Sequence, residues 1–277
     1  MRYERIHLKD SFPFLGEEGC DPTVELYLPY NMKEMGREKQ KRPCLIVCPG
    51  GGYEMCSERE AEPIALHFLP EGFNVFVLTY SVAPHRFPTQ LLEVAALMEL
   101  IYAHEEEWNC DRTKVGIMGF SAGGHLAAHY STCYDCAEVR ARFPESKPVN
   151  AAVLSYPVIS ANPEYAHLGS FRNLSGQEEL TEEEVEKFSC DRQVDACTPQ
   201  AFIWHTAADA AVPVMNSLLY AQALSKHQVP YEMHIYPFGE HGASTCDGQT
   251  HDVIDTFLTH DHGWLCDVKK WFRMIGF

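Results

Sequence analysis

Five runs of the sequence are apolar or uncharged from end to end: residues 45–47, 73–80, 115–118, 152–156 and 201–204. A strand with one wet face alternates apolar and polar side chains. Unbroken runs therefore imply strands covered on both faces, the condition of a mostly parallel sheet. Helical patterns fall between the runs. Leu91, Val94, Ala95, Met98, Ile101 and Tyr102 keep the i, i+3, i+4, i+7 spacing of one buried face. Residues 126–130, 214–224 and 253–258 also read as helix. Strand and helix alternate along the chain, which predicts an α/β fold: a mostly parallel central sheet with helices on both faces. Val24, Leu26 and Leu28 alternate with Glu25 and Tyr27, which predicts a half-exposed antiparallel edge strand. The 277 residues fit a single domain over 1–277.

Residues 158–198 break this rhythm. They separate two core strands and show no strand pattern. Thr181 and Glu184 form a capping box that opens a short acidic helix. Tyr165, Leu168, Phe171 and Leu174 need something to pack on. An insert of this length is usually functional or disordered; its apolar residues favour the first, a small cap over a site.

The chemistry concentrates at Gly119-Phe120-Ser121-Ala122-Gly123. This G-x-S-x-G directly follows a strand and directly precedes a helix, the setting that a nucleophile elbow requires. A plain βα turn with a capping serine is the bland alternative. An acyl-transfer serine needs a base, and fourteen histidines are available. His241, in Phe238-Gly239-Glu240-His241-Gly242, follows the strand 231–236. Open α/β sheets build their sites on loops at the carboxyl ends of strands. His125 and His129 share a helix face but lack the glutamate of H-E-x-x-H and read as packing or surface residues. His205 ends a strand and is placed to support the site by hydrogen bonding. His260 and His262 have no strand before them, and His85 is the best competing site-lining histidine. The acid should fall between serine and base. Asp209, just past the strand 201–205, fits better than Asp195, and Glu240 is too close in sequence to face the imidazole. An oxyanion needs backbone N–H donors free of side-chain obstruction. Pro49-Gly50-Gly51-Gly52-Tyr53 supplies them after an early strand, and the Ala122 amide is a further donor. Neither a P-loop nor a dinucleotide fingerprint follows these glycines.

Together, Pro49–Tyr53, Gly119–Gly123, Asp209 and His241 resemble the α/β-hydrolase superfamily. Within it, the chain from about residue 43 onward is similar to the acetyl esterase/lipase group, which includes hormone-sensitive-lipase-like and acetylxylan-esterase-related carboxylesterases. Residues 78–84, Val212-Pro213 and Gly239-x-His241-Gly242 match as well. Two positions depart. The lipase-like members usually carry His where Pro49 stands and Arg where Ser81 stands, which points toward the bacterial small-ester branch. The resemblance implies Gly51 and Gly52 as oxyanion donors beside Ala122. It also implies short acyl substrates, acetyl groups on xylo-oligosaccharides or other sugars foremost. Tyr53 and Tyr80 are expected to line the site, with core packing an equal alternative for Tyr80. The alternatives are a lipase, lactonase or peptidase of the same fold, or a silent binding protein on this scaffold. Peptidases of the fold usually add a large domain, and dienelactone hydrolases often use cysteine in place of Ser121.

The charge balance, 22 Lys+Arg against 39 Asp+Glu for a net −17, disfavours nucleic acid and polyanionic partners. No apolar run reaches the ~18 residues of a membrane helix. The N-terminus Met1-Arg2-Tyr3-Glu4-Arg5 is not an export signal unless one has been removed. The eleven cysteines then read as reduced thiols of a cytoplasmic protein. Cys133-x-x-Cys136 has no second pair for zinc, and the chemistry requires no cofactor or metal. The expected partner is a small-molecule or oligosaccharide ester, with monomer and homodimer both open.

Overall fold

The apolar runs become strands of one eight-stranded sheet, ordered β1-β2-β4-β3-β5-β6-β7-β8. The computed structural model describes the backbone of residues 1–277 and every side chain except that of Glu18. The strands are β1 Arg2–His7, β2 Thr23–Leu28, β3 Arg42–Cys48, β4 Asn74–Thr79, β5 Cys110–Phe120, β6 Ala151–Ser155, β7 Gln200–Thr206 and β8 Tyr231–Tyr236. β3 through β8 pair in parallel, while β2 is antiparallel to both β1 and β4.

Burial on both faces explains the unbroken runs. Along β3, Cys44, Ile46 and Cys48 join one core, and Leu45 and Val47 join the other. The first core holds the helices Thr89–Ala103, Ser121–Cys133 and Met215–Lys226 against the sheet. The second holds Glu62–Phe68 and Gly263–Met274, whose Trp264 stacks on Trp204 of β7 and whose Trp271 tilts against Phe202 of the same strand.

The order of strands positions the site. The crossover after β3 runs toward β4, on one side, and the crossover after β5 runs toward β6, on the other. The carboxyl ends of β3 and β5 therefore flank the switch point, where an open α/β sheet leaves a crevice. The glycine run 49–53 leaves β3 at this point, and Ser121 leaves β5 beside it.

Three expectations change. β2 is not the edge strand: β1 covers it, pairing Arg2 with Leu28 through His7 with Thr23. The charged residues of β1 mask an alternation that only its partner strand reveals. The helix Thr89–Ala103 is buried nearly all round, not on one face, because Leu8 and Leu15 from the N-terminal segment join its core. Residues 253–258 are not one helix. Val253 is 78% exposed, and the helix is Thr256–Asp261, started by the Asp255 carboxylate accepting from the Leu258 N–H at 2.8 Å.

Residues 158–198 fold as the helices Leu168–Ser175, Glu182–Phe188 and Cys190–Gln193. The Thr181–Glu184 capping box forms. Phe171 and Leu174 are buried, whereas Leu168 is exposed. His125 seats this insert: Nε2 donates to the Phe188 carbonyl at 2.9 Å, and Nδ1 takes the Tyr53 hydroxyl at 2.8 Å. No helix among the described residues is long and apolar enough to cross a membrane.

Candidate active site

The strand β5 ends in a turn that L-residues resist. Ser121 sits at φ +52, a left-handed conformation held only where the surroundings over-determine it. Close packing supplies that constraint. A Cβ on Gly119 would lie 2.1 Å from the Gly123 carbonyl oxygen, and one on Gly123 would lie 2.1 Å from that of Cys48. The spaced glycines thus let the helix Ser121–Cys133 approach β5 and β3, and the turn lifts Ser121 to the crevice.

Ser121 Oγ lies 2.7 Å from His241 Nε2, and His241 Nδ1 lies 2.6 Å from Asp209 Oδ2. Asp209 accepts from four donors. Oδ1 takes the Ala211 and Val212 amides at 2.9 Å each, and Oδ2 takes His241 and, at 3.2 Å, His205 Nε2. His205 Nε2 also faces the Val212 carbonyl at 3.0 Å, an acceptor only, so that nitrogen carries the proton and Nδ1 accepts from Ser217 Oγ at 2.8 Å. Burial pushes the Asp209 carboxyl up, but the hydrogen bonds from His205 and His241 outweigh it and hold the group well below the usual carboxylate range. A carboxylate can only accept. It therefore fixes the proton of His241 on Nδ1 and leaves Nε2 as the acceptor facing Ser121.

The glycine run lies against the serine. A Cβ on Gly50 would sit 2.9 Å from Ser121 Cβ, and one on Gly51 would sit 2.2 Å from the Met55 carbonyl oxygen. Gly51 stands at φ +126 and Gly52 at φ +66, conformations that glycine adopts without strain. Among the described residues, no backbone acceptor in a turn or loop takes the amides of Gly51 or Gly52, and Ala122 lies in the first turn of its helix, where amides have no intrahelical acceptor.

Tyr53 and Tyr80 do not line the crevice. They are 1% and 2% exposed and act from beneath it: Tyr53 bonds His125, and the Tyr80 hydroxyl donates to the Pro49 carbonyl at 2.6 Å. Each ring thereby satisfies its one polar group, which a buried tyrosine requires. His85 is half-buried in a separate turn, its amide donating to the Val82 carbonyl. Glu240 is exposed beside His241 without bonding it. His129 is buried and stacks on Phe87.

Four residues escape a reading of the sequence. Glu60, buried, accepts the Gly50 amide at 2.7 Å and the Tyr156 hydroxyl at 2.6 Å. Burial raises its carboxyl above the usual range against the lowering effect of these two bonds. Tyr156, at φ +37, also accepts the Ser244 amide at 2.9 Å and sets its ring edge-on to His241, with centroids 5.1 Å apart. Glu60 thus ties the glycine run to the ring that abuts His241. His167, at the start of the helix Leu168–Ser175, lies close enough to His241 to feel its charge, although burial is the larger cause of its lowered basicity. Its Nδ1 bonds Ser170 Oγ at 2.8 Å. Asn173 Nδ2 donates to the Gly52 carbonyl at 2.9 Å, so the insert touches the glycine run directly. A tyrosine at a strand's carboxyl end was the one available signal. Glu60 stands in an acidic run that reads as solvated.

A family model described as BD-FAE matches residues 25–224. The chain is 35% identical to endo-1,4-beta-xylanase B of Butyrivibrio fibrisolvens over 89% of its own length and 38% of that protein's. It is 33% identical to the acetylxylan esterase of Xylanibacter ruminicola over 83% of its own length and 45% of that protein's. The chain therefore spans less than half of either relative. Among solved structures, an acetyl ester-xyloside bifunctional hydrolase from Caldicellulosiruptor lactoaceticus superposes with a TM-score of 0.85 at 35% identity, covering 100% of this chain and 97% of that one.

Proposed function

The chain belongs to the BD-FAE family, within the acetyl esterase/lipase group of the α/β-hydrolases, and from that premise we propose that it is a serine carboxylesterase for short-chain esters, acetylated xylo-oligosaccharides foremost. One observation carries the reading: Ser121, His241 and Asp209 form a single hydrogen-bonded relay that ends on a strained serine at the switch point.

The geometry supports one order of events. Ser121 Oγ attacks the ester carbonyl carbon while His241 Nε2 takes its proton. Asp209 keeps the imidazole in the accepting tautomer and stabilises the imidazolium that forms. The amides of Gly51, Gly52 and Ala122 receive the oxyanion; losing one such donor costs about 3–4 kcal/mol in a serine protease. The imidazolium then protonates the leaving alcohol, and water, activated by the same histidine, releases the acid from Ser121.

In this reading residues 1–277 form one domain, and residues 158–198 cap the crevice, with Asn173 at the glycine run and His167 near His241. A cytoplasmic setting fits the odd number of cysteines, eleven, in a chain too large to need disulfides for its core.

The test is a p-nitrophenyl ester series from acetyl to decanoyl, run beside acetylated xylo-oligosaccharides, with Ser121→Ala as control. Turnover should peak at the short acyl chains and vanish in the variant. A peak at decanoyl overturns the short-chain assignment, and equal rates for variant and wild type overturn the serine mechanism.

A further inference from the structure

A cleft of ≈ 610 Å³ opens beside His241, between the loop 238–243 and the segment 251–258. This lies within the roughly 300–1,000 Å³ of sites that hold drug-sized ligands. Its position decides which part of an ester it meets. His241 must hand its proton to the leaving oxygen, so the alcohol departs on the side of the histidine. Neither the glycine run nor the insert lines this cleft; the insert's Asn173 amide reaches the Gly52 carbonyl instead.

The lining is chemically specific. Phe238 and Phe257 are 53% and 47% exposed and lean on each other with ring centroids 4.9 Å apart. Two large apolar rings presented together to water mark an interaction site more than a core. The rim around them is polar and of mixed sign: Arg59, Asp255 and His251 all face the cleft. The Arg59 backbone and the Asp255 and His251 side chains are anchored. The Arg59 carbonyl accepts Ser244 Oγ at 2.5 Å, Asp255 caps its helix, and His251 Nδ1 bonds Thr250 Oγ1 at 2.9 Å. A long alkyl alcohol would leave this rim unpaired, and a polyanion would meet Asp255. A pyranose satisfies both parts, because its C–H face is apolar and its equatorial hydroxyls form a ring of donors and acceptors.

We propose that this cleft is the subsite for the alcohol part of the ester, and that it binds a neutral pyranose chain with a sugar ring stacked on Phe238 and Phe257. The proposal rests on the esterase reading above.

The experiment compares acetylated xylotriose with ethyl acetate, whose alcohol is too small to reach the ring pair. In Phe238→Ala the ratio of kcat/KM for the saccharide to that for ethyl acetate should fall roughly tenfold, mainly through KM. Phe238→Tyr should restore most of it. Phe238 is exposed, so both variants should fold, and unchanged thermal unfolding checks this. An unchanged ratio in Phe238→Ala overturns the subsite. So does a wild type that hydrolyses ethyl acetate but not the saccharide, which leaves the esterase reading intact. A wild type that hydrolyses neither overturns the esterase reading and the subsite with it.

Discussion

Asp209→Asn should inactivate the protein without removing a single contact atom, and the structure dictates why. The Ala211 and Val212 amides both point at Oδ1 at 2.9 Å. An amide nitrogen in that position would face two N–H donors, each left unsatisfied at a cost of about 1–3 kcal/mol. The asparagine carbonyl is therefore pinned there, and its NH2 group takes the place of Oδ2. There it meets His241 Nδ1 at 2.6 Å and His205 Nε2 at 3.2 Å. His205 keeps the Val212 carbonyl as a partner, so its proton stays. His241 has no such alternative. Its Nδ1 must become an acceptor, which moves the ring proton to Nε2, the atom that has to accept from Ser121. The same inversion in a serine protease costs roughly 10⁴ in kcat, about 5.5 kcal/mol of transition-state stabilisation. Stability should fall by only about 1–3 kcal/mol, from the donor now opposed to His205. The assay is kcat on a short-chain ester beside thermal unfolding. A folded variant within tenfold of wild type would refute the argument and send the acid's role elsewhere.

Two further outcomes follow from buried carboxyls. Glu60→Gln retains one acceptor for two donors, Gly50 N–H and Tyr156 O–H, so the glycine run and the ring against His241 should loosen together. The expected result is a kcat loss of roughly 10–100-fold with KM for a small ester nearly constant; kcat within twofold of wild type refutes the positioning role. Glu93, in the helix Thr89–Ala103, accepts the Ser81 amide at 2.8 Å, and burial pushes its carboxyl up to about 7. The unfolded chain loses this proton in the ordinary carboxylate range while the fold retains it, so stability falls as pH rises from there to about 7. Glu93→Gln lacks that slope. Its stability relative to wild type should improve between about pH 5 and about pH 8 in denaturant titrations, and a difference independent of pH contradicts the assignment.

Which features could be read from the sequence follows from what each depends on. The strands β3 to β7 could be read because burial on two faces leaves a mark inside each strand. Ser121 and Asp209 could be read because each stands at the carboxyl end of such a strand, and His241 because it follows the strand β8 in a glycine-flanked turn; strand order then carries the three together. β1 could not. Its Arg2, Glu4 and Arg5 hide an alternation that becomes a strand only when β2 pairs with it. Tyr53 and Tyr80 followed the glycine run and a strand, where site-lining side chains are common, but their hydroxyls found His125 and the Pro49 carbonyl below the crevice. Glu60 is the sharpest case. In Glu58-Arg59-Glu60-Ala61-Glu62 nothing distinguishes it from its solvated neighbours, and its burial depends on a tyrosine 96 residues away. Apolar burial leaves a periodic trace in the chain because each residue's preference is its own. A buried polar group has no such preference; it is stable inside only if distant partners arrive to bond it. The groups that support the relay are therefore the ones a one-dimensional pattern hides, and they are where substitutions with no evident link to the serine should alter kcat.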